Sequence, residues 1–204
     1  MIVQPDLPVI LASASPRRKE LLEQLGLQFV IIPAHIDESM FLNEDALKYV
    51  RRLSEEKGRA IAEKYPEHIV ISADTIVVYN EKILGKPIDK SDAFRMLRLL
   101  SGNTHKVITA FSIHCGINNI HITEDELTEV RFRDLSDADI DEYIEGGSPM
   151  DKAGAYGIQD LSATLVRNIS GCYYNVIGFP IAHFKETWDK LFLSKQLPYQ
   201  SYFL

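Results

Sequence analysis

Apolar positions in this chain fall into short β-branched runs that alternate with stretches of helical three-and-four spacing, so strands and amphipathic helices are expected in turn. Val9 to Ala12 reads as a short buried strand. Ser15-Pro16 then opens a helix with serine as N-cap and proline in the first turn, Leu21, Leu22 and Leu25 on one face, and Gly26 as the stop. A second strand is expected at Gln28 to Ile32, followed by a polar loop carrying Asp37-Glu38. A long helix then runs from about Asn43 to Lys64 and ends before Pro66. Leu47, Val50, Ser54, Lys57 and Ile61 line up along it, which sets Ser54 and Lys57 among residues that face the interior. A lysine in that row needs an anionic partner or a route to water.

Ile69 to Ile71 and Thr75 to Tyr79 are β-branched runs that flank Ser72-Ala73-Asp74, and Asn80-Glu81 reads as a hairpin turn into Lys82 to Leu84. Asp89 or Ser91 can cap a helix bearing Ala93, Met96, Leu97 and Leu100, closed by Ser101-Gly102. Val107 to His114 and Glu129 to Phe132 read as strands separated by a turn near Asn118-Asn119. Ser136 caps a short helix with Ile140, Tyr143 and Ile144 on one face and Gly146 past its end. Gly147 to Asp160 is irregular, Leu161 to Ile169 is another strand, and Gly171 to Gly178 is rich in turns. Pro180 starts a last helix with Ile181, Phe184, Trp188 and Leu191 at helical spacing. The alternation implies an α/β fold with a mixed twisted sheet flanked by helices, one domain over residues 1–204, its lobes set by how the sheet bends.

Composition narrows the function classes. With 46% apolar residues in 204, the chain can bury a core as one globular unit or two small lobes, and its apolar runs are too short to span a bilayer. A net charge of −7 argues against nucleic acid or anionic lipid as partner, so an anionic ligand must be met by a local basic pocket. Met1 to Leu11 lacks a basic segment and contains Pro5 and Pro8 in place of a signal core, which makes the cytoplasm the expected compartment. Cys115 and Cys172 form no metal-ligand spacing and read as small buried hydrophobes; no histidine is given a metal role.

Against that acidic background, Ser13-Ala14-Ser15-Pro16-Arg17-Arg18-Lys19 puts three cations in the first turn of a helix, against the positive end of its dipole. Backbone N–H groups, the hydroxyls of Ser13 and Ser15 and the forks of Arg17 and Arg18 suit a phosphate; the alternative is a solvated basic turn. Asp74 sits inside an Ile/Val strand, where a carboxylate must be paired, bind a cation, work as a base, or accept structural hydrogen bonds. Lys57 and Lys86 make four cations with the Arg17-Arg18 pair, which fits a triphosphate better than a monophosphate. No P-loop, dinucleotide fingerprint or nucleophile elbow is present, and Gly85-Lys86 is no Walker lysine.

Five ordered blocks carry a resemblance. Leu11-Ala-Ser-Ala-Ser-Pro-Arg-Arg-Lys-Glu-Leu-Leu22, Ser72-Ala-Asp-Thr-Ile-Val77, Ile83-Leu-Gly-Lys-Pro87, Lys152-Ala-Gly-Ala-Tyr-Gly-Ile-Gln159 and Tyr174-Asn-Val-Ile-Gly-Phe-Pro180 together resemble the Maf family of nucleoside triphosphate pyrophosphatases. The resemblance implies an inosine-triphosphatase-like fold with an active-site cleft between two lobes. It also implies a Mg²⁺- or Mn²⁺-dependent hydrolase that cuts a nucleoside triphosphate between its α and β phosphates. In that family the aspartate of the Ser-Ala-Asp-Thr block is the proton acceptor for water, which maps to Asp74, with a role as metal ligand left open beside it. Arg17, Thr75 and Gln159 map to positions linked to substrate choice, and Glu38 to one near the metal, with Asp37 as competitor. Tyr156-Gly157-Ile158-Gln159 is similar to the branch that prefers dTTP and UTP, whose bases offer an acceptor-donor edge to an amide.

Ser148 stands where the family often has an acidic residue, Asp160 where glycine is common, and Phe179 where leucine is usual. The alternatives to a dTTP/UTP enzyme are action on a modified nucleotide such as 7-methyl-GTP, or a binding protein that holds a triphosphate without turnover. Relatives often form homodimers; Phe192, Tyr199, Tyr202 and Phe203, read as exposed aromatics, would serve such a contact or pack within the chain.

Overall fold

A computed structural model describes residues 2–147 and 149–194 of the chain. The elements in order are β1 (Val9–Leu11), α1 (Pro16–Gln24), β2 (Val30–Ile31), α2 (Ala46–Ala62), β3 (Ile69–Tyr79) and β4 (Lys82–Leu84). They continue with α3 (Lys90–Leu100), β5 (Thr104–Cys115), β6 (Ile120–Phe132), α4 (Asp137–Gly146), β7 (Val166–Ser170), α5 (Tyr173–Ile177) and α6 (Ile181–Leu193). The seven strands form one mixed sheet in the order β2-β1-β3-β5-β6-β7, with β4 on β3. β1 runs parallel to both β2 and β3, whereas β3–β4 and β6–β7 are antiparallel. Among the described residues no helix is long and apolar enough to cross a membrane.

The helix starts follow from their caps. Ser15 Oγ accepts from the Arg18 amide, Asp45 from Lys48 and Asp89 from Asp92, while Ser136 and Asp139 close a capping box. Several other elements depart from the pattern in the sequence. Residues 160–165, expected as strand from Leu161 onwards, form a 3-10 turn because Ser162 Oγ donates to the Gln159 carbonyl and Thr164 Oγ1 to the Leu161 carbonyl. Only Val166–Ser170 remains as strand, and the turn-rich stretch after it holds the one-turn helix α5. β6 begins at Ile120, nine residues before Glu129, since its first half is charged and half-exposed and offers no apolar alternation to read. β2 shrinks to two exposed residues, Leu47 is exposed in the first turn of α2, and Gly146 lies inside α4 with Gly147 as its cap.

The contacts of the chain divide it into two compact units. The first comprises 1–74, 110–125 and 178–204 and holds β1, β2, α1, α2 and α6. Its core is a run of rings: Phe111 lies 5.6 Å from Phe184, which leads to Trp188 at 5.3 Å and then to Phe192 at 5.4 Å. Phe192 is 3% exposed, so it is a core residue and no surface contact; Tyr199, Tyr202 and Phe203 lie outside the described residues, as do Ser148 and the side chain of Asp160. Phe179 joins this core at 5.0 Å from Phe184, consistent with an apolar exchange for leucine.

The second unit, 75–109 and 126–177, packs α3 against α4 and a 3-10 turn at 153–155. His105, Phe132 and Tyr156 meet edge-to-face inside it, with Phe132 and Tyr156 centroids 4.7 Å apart. Cys115 is buried as expected; Cys172 is half-buried, and its amide donates to Thr128 Oγ1 at 3.0 Å.

The feature that positions chemistry is the contact of α2 with β3 and β5 in the first unit, built from small polar residues. Ser72 Oγ donates to the Ser54 carbonyl at 2.7 Å, and Ser54 Oγ pairs with Ser112 Oγ at 2.8 Å. At Gly58 a Cβ would lie 2.6 Å from both His114 Nε2 and Ser72 Oγ, so only glycine lets the helix approach this closely. Gly58→Ala gains about 1 kcal/mol of helix propensity, but overpacking this contact costs about 1–3 kcal/mol or more. Net destabilisation by urea unfolding is therefore expected.

Burial holds the pKa of His105 and of His114 down at about 4, the latter helped by His121 and Arg59. Between an unfolded value of about 6.5 and this folded value the unfolded chain binds protons that the native one refuses. Stability is thus full above about pH 6.5 and falls as the pH drops towards 4, by up to about 1.4 kcal/mol per pH unit for each histidine. Urea midpoints at pH 7, 6 and 5 check this; His105→Gln and His114→Gln should each flatten the slope.

Candidate active site

The turn from β1 into α1 is built around Ser13, which is buried, and whose Oγ accepts from the Ser15 amide at 3.3 Å and from Arg18 Nη1 at 3.1 Å. Arg18 Nε donates to the Gly178 carbonyl at 3.0 Å, so one guanidinium joins the first sequence block to the last. The first turn of α1 contains no acidic residue to offset Arg17, Arg18 and Lys19 at the positive end of its dipole. Burial pulls the Arg18 pKa down and Arg17 adds to the fall, while the charges of Asp74 and Glu38 counter it. The charges of two carboxylates therefore reach this guanidinium.

Asp74 is 9% exposed on β3, which runs unbroken through it. Its Oδ1 lies 2.6 Å from Lys57 Nζ, and the same ammonium lies 2.8 Å from Glu38 Oε1. The inward row of α2 thus supplies the partner that both Lys57 and Asp74 require. Burial raises the Asp74 pKa above the usual carboxylate range; Lys57 and Arg18 pull against this and Glu38 adds to it. Asp37 is spent locally: its Oδ1 accepts from the Ser39 amide at 2.9 Å and from Ser39 Oγ at 2.6 Å, which holds it below its ordinary value.

Three expected site residues belong to the second unit. Thr75 Oγ1 pairs with Thr109 Oγ1 at 2.9 Å, and Thr109 donates to the Asn175 carbonyl at 3.1 Å. Lys86 is exposed, on a loop tied down by the Gly154 amide, which donates to the Gly85 carbonyl at 3.0 Å. Gln159 is half-buried, and its carbonyl accepts from Ser162 Oγ.

Sequence reasoning missed a group on and before α2. Tyr49 donates to the Glu38 carbonyl at 2.8 Å, and Arg52 grips Glu44 through Nε at 2.6 Å and Nη2 at 2.7 Å. Only the one-turn spacing of Arg52 and Glu56 was visible beforehand; Glu44 precedes the helix, outside any helical rule. Thr109 and Asn175 were equally hidden, since they meet Thr75 only through tertiary pairing.

Chemically, the first unit offers a desolvated carboxylate, a second carboxylate on the same ammonium, and an anchored guanidinium. Asp74 and Glu38 already share one positive charge, and hard carboxylate oxygens suit Mg²⁺ or Mn²⁺. Among the described residues no cluster of three acidic, histidine or cysteine ligands exists, so a cation held here would complete its shell from substrate oxygens and water.

The model of a family described as Maf-like protein matches residues 8–191. The dTTP/UTP pyrophosphatase of Koribacter versatilis is 51% identical over 174 residues, covering 85% of this chain and 89% of that protein. Those of Syntrophomonas wolfei and of a Geobacillus species are 48% and 47% identical, covering 84% and 85% of this chain and 91% and 92% of theirs.

Lys57→Met would remove the strongest opposition to Asp74's desolvation. The Asp74 carboxyl, followed by carbon-13 NMR against pH, should then titrate at a higher pH than in the wild type, by at least about one unit. An unmoved titration would show that Lys57 does not govern this carboxyl.

Proposed function

Because the chain belongs to the Maf-like family, we propose that it hydrolyses dTTP and UTP between the α and β phosphates, yielding the monophosphate and pyrophosphate. The observation that carries this reading is the buried Asp74 held by Lys57 with the Arg18 guanidinium charge felt beside it. The names of the relatives, each a dTTP/UTP pyrophosphatase, support the same substrates.

Arg17, Arg18, Lys57 and Lys86 bind phosphate oxygens and offset the charge that builds up during displacement, with Ser13 and Ser15 setting the arginine-bearing turn. A water oxygen bonds to the α-phosphorus, the bond from that phosphorus to the bridging oxygen breaks, and pyrophosphate leaves with the electron pair. Asp74 takes the water proton; its raised pKa makes the ionised oxygen a stronger base than an exposed aspartate, and a ligand role is the other use of the same oxygens. Asp74 and Glu38 would hold Mg²⁺ or Mn²⁺, which when bound neutralises phosphate charge and polarises the reacting centre. Thr75, Arg17 and Gln159 select the pyrimidine, the Gln159 amide pairing with its acceptor-donor edge. A free nucleotide, and no nucleic acid or membrane, suits the acidic charge balance, and the cytoplasm and a homodimeric state complete the reading.

Pyrophosphate release should be fastest from dTTP and UTP in a panel that includes CTP, the purine triphosphates and 7-methyl-GTP, each with Mg²⁺ or Mn²⁺. Asp74→Asn should lower the rate about a thousandfold with an unchanged circular dichroism spectrum. No release from any member of the panel, or an active Asn variant, would sink this assignment.

A further inference from the structure

Glu38 lies in a loop that buries little apolar surface of its own: Leu42 is 93% exposed, and Met40 and Phe41 are largely exposed as well. Hydrophobic packing therefore does not fix where its carboxylate points. Polar contacts from α2 do. Tyr49 donates to the carbonyl of Glu38 at 2.8 Å, and Arg52 Nη2 donates to the carbonyl of the next residue, Ser39, at 3.0 Å. The same guanidinium forks onto Glu44 at 2.6 and 2.7 Å, reaches Glu56 at 3.2 Å, and stacks with Cζ 3.9 Å from the centre of the Phe41 ring. Glu44 in turn accepts from the Phe41 amide at 3.1 Å. The Arg52 and Glu44 side chains are 15% and 8% exposed, unusually enclosed for an ion pair that supports an open loop.

We propose that Arg52 is a positioning residue that, with Glu44 and Tyr49, clamps residues 38–44 to α2 so that the Glu38 carboxylate is held for a divalent cation shared with Asp74. α2 then presents three functional side chains. Tyr49 and Arg52 fix the carbonyls of Glu38 and Ser39, one on each side of the Ser39 Cα, and Lys57 meets the Glu38 carboxylate from the same helix. A lysine at position 52 would keep the charge but lose both the fork and the ring stacking. This inference rests on the metal-dependent reading given above.

The test follows binding, turnover and loop order separately in wild type, Arg52→Met, Arg52→Lys, Glu44→Gln, Glu38→Gln and the Arg52→Met/Glu38→Gln double variant. Mn²⁺ uptake, measured by electron paramagnetic resonance in the presence of α,β-imido-dUTP, should weaken roughly tenfold to a hundredfold in Arg52→Met. Arg52→Lys and Glu44→Gln should be intermediate. The double variant should bind within about twofold of Glu38→Gln alone, because Arg52 acts through Glu38. Amide hydrogen exchange in Arg52→Met should quicken at 38–44 and stay slow across the rest of α2. Should Arg52→Met fail to fold, Glu44→Gln carries the same comparison.

Additive losses in the double variant, or wild-type Mn²⁺ affinity in Arg52→Met or Glu44→Gln, would overturn the inference, as would a wild type that takes up no Mn²⁺. A wild type that binds Mn²⁺ with the analogue yet releases no pyrophosphate from any nucleotide would overturn the hydrolase reading alone.

Discussion

A single ammonium group, Lys57 Nζ, sits between two carboxylates, and the first unit is arranged around making that possible. Placing Asp74 on a buried strand removes its hydration, a cost of several kcal/mol for an isolated ion. The strand cannot repay this from its own backbone. The cation must come from a neighbouring element, at hydrogen-bond distance, and it arrives on α2 at 2.6 Å. The helix also lies close to the sheet one residue further on, where a Cβ at Gly58 would come within 2.6 Å of Ser72 Oγ.

That closeness accounts for a run of residues that would otherwise look ill-suited to a helix-sheet contact. Ser54, Gly58, Ser72 and Ser112 are all small, and three of them carry hydroxyls that must be satisfied once buried. The Ser72-to-Ser54 bond and the Ser54–Ser112 pair, extended to Thr123 at 2.9 Å, do so without adding bulk. An interface of leucines would bury more apolar area but would push α2 outwards and break these hydroxyl contacts. Apolar packing is instead concentrated elsewhere in the unit, in the Phe111, Phe179, Phe184 and Trp188 rings.

Much of this was legible in the sequence because it is written in local periodicity. Lys57 fell on the inward row of a helix, needing an anion or a route to water, and Asp74 inside a β-branched strand, needing a cation, a proton-transfer role or structural hydrogen bonds. The alternation of strands and helices also announced the α/β class. What stayed hidden obeys no local period. Arg52 and Glu44 pair between a helix and the loop before it, Thr75 meets Thr109 across the sheet, and the turn at 160–165 is decided by hydroxyls that outcompete the strand. The early half of β6 was unreadable for a related reason: its residues are half-exposed on both alternating positions, so no contrast between faces exists.

The charge balance at Asp74 bears on how such a carboxyl would respond to a polyanion. Its pKa is already raised although Lys57 and Arg18 both pull it down, because desolvation, with the Glu38 charge adding to it, outweighs them. A phosphate chain that engages Arg18 or Lys57 brings negative charge towards Asp74 and diverts the cations that restrain it, so its pKa moves further up. A divalent cation bound by the same carboxylates works in the opposite direction. Metal and phosphate would therefore shift this carboxyl in opposite directions.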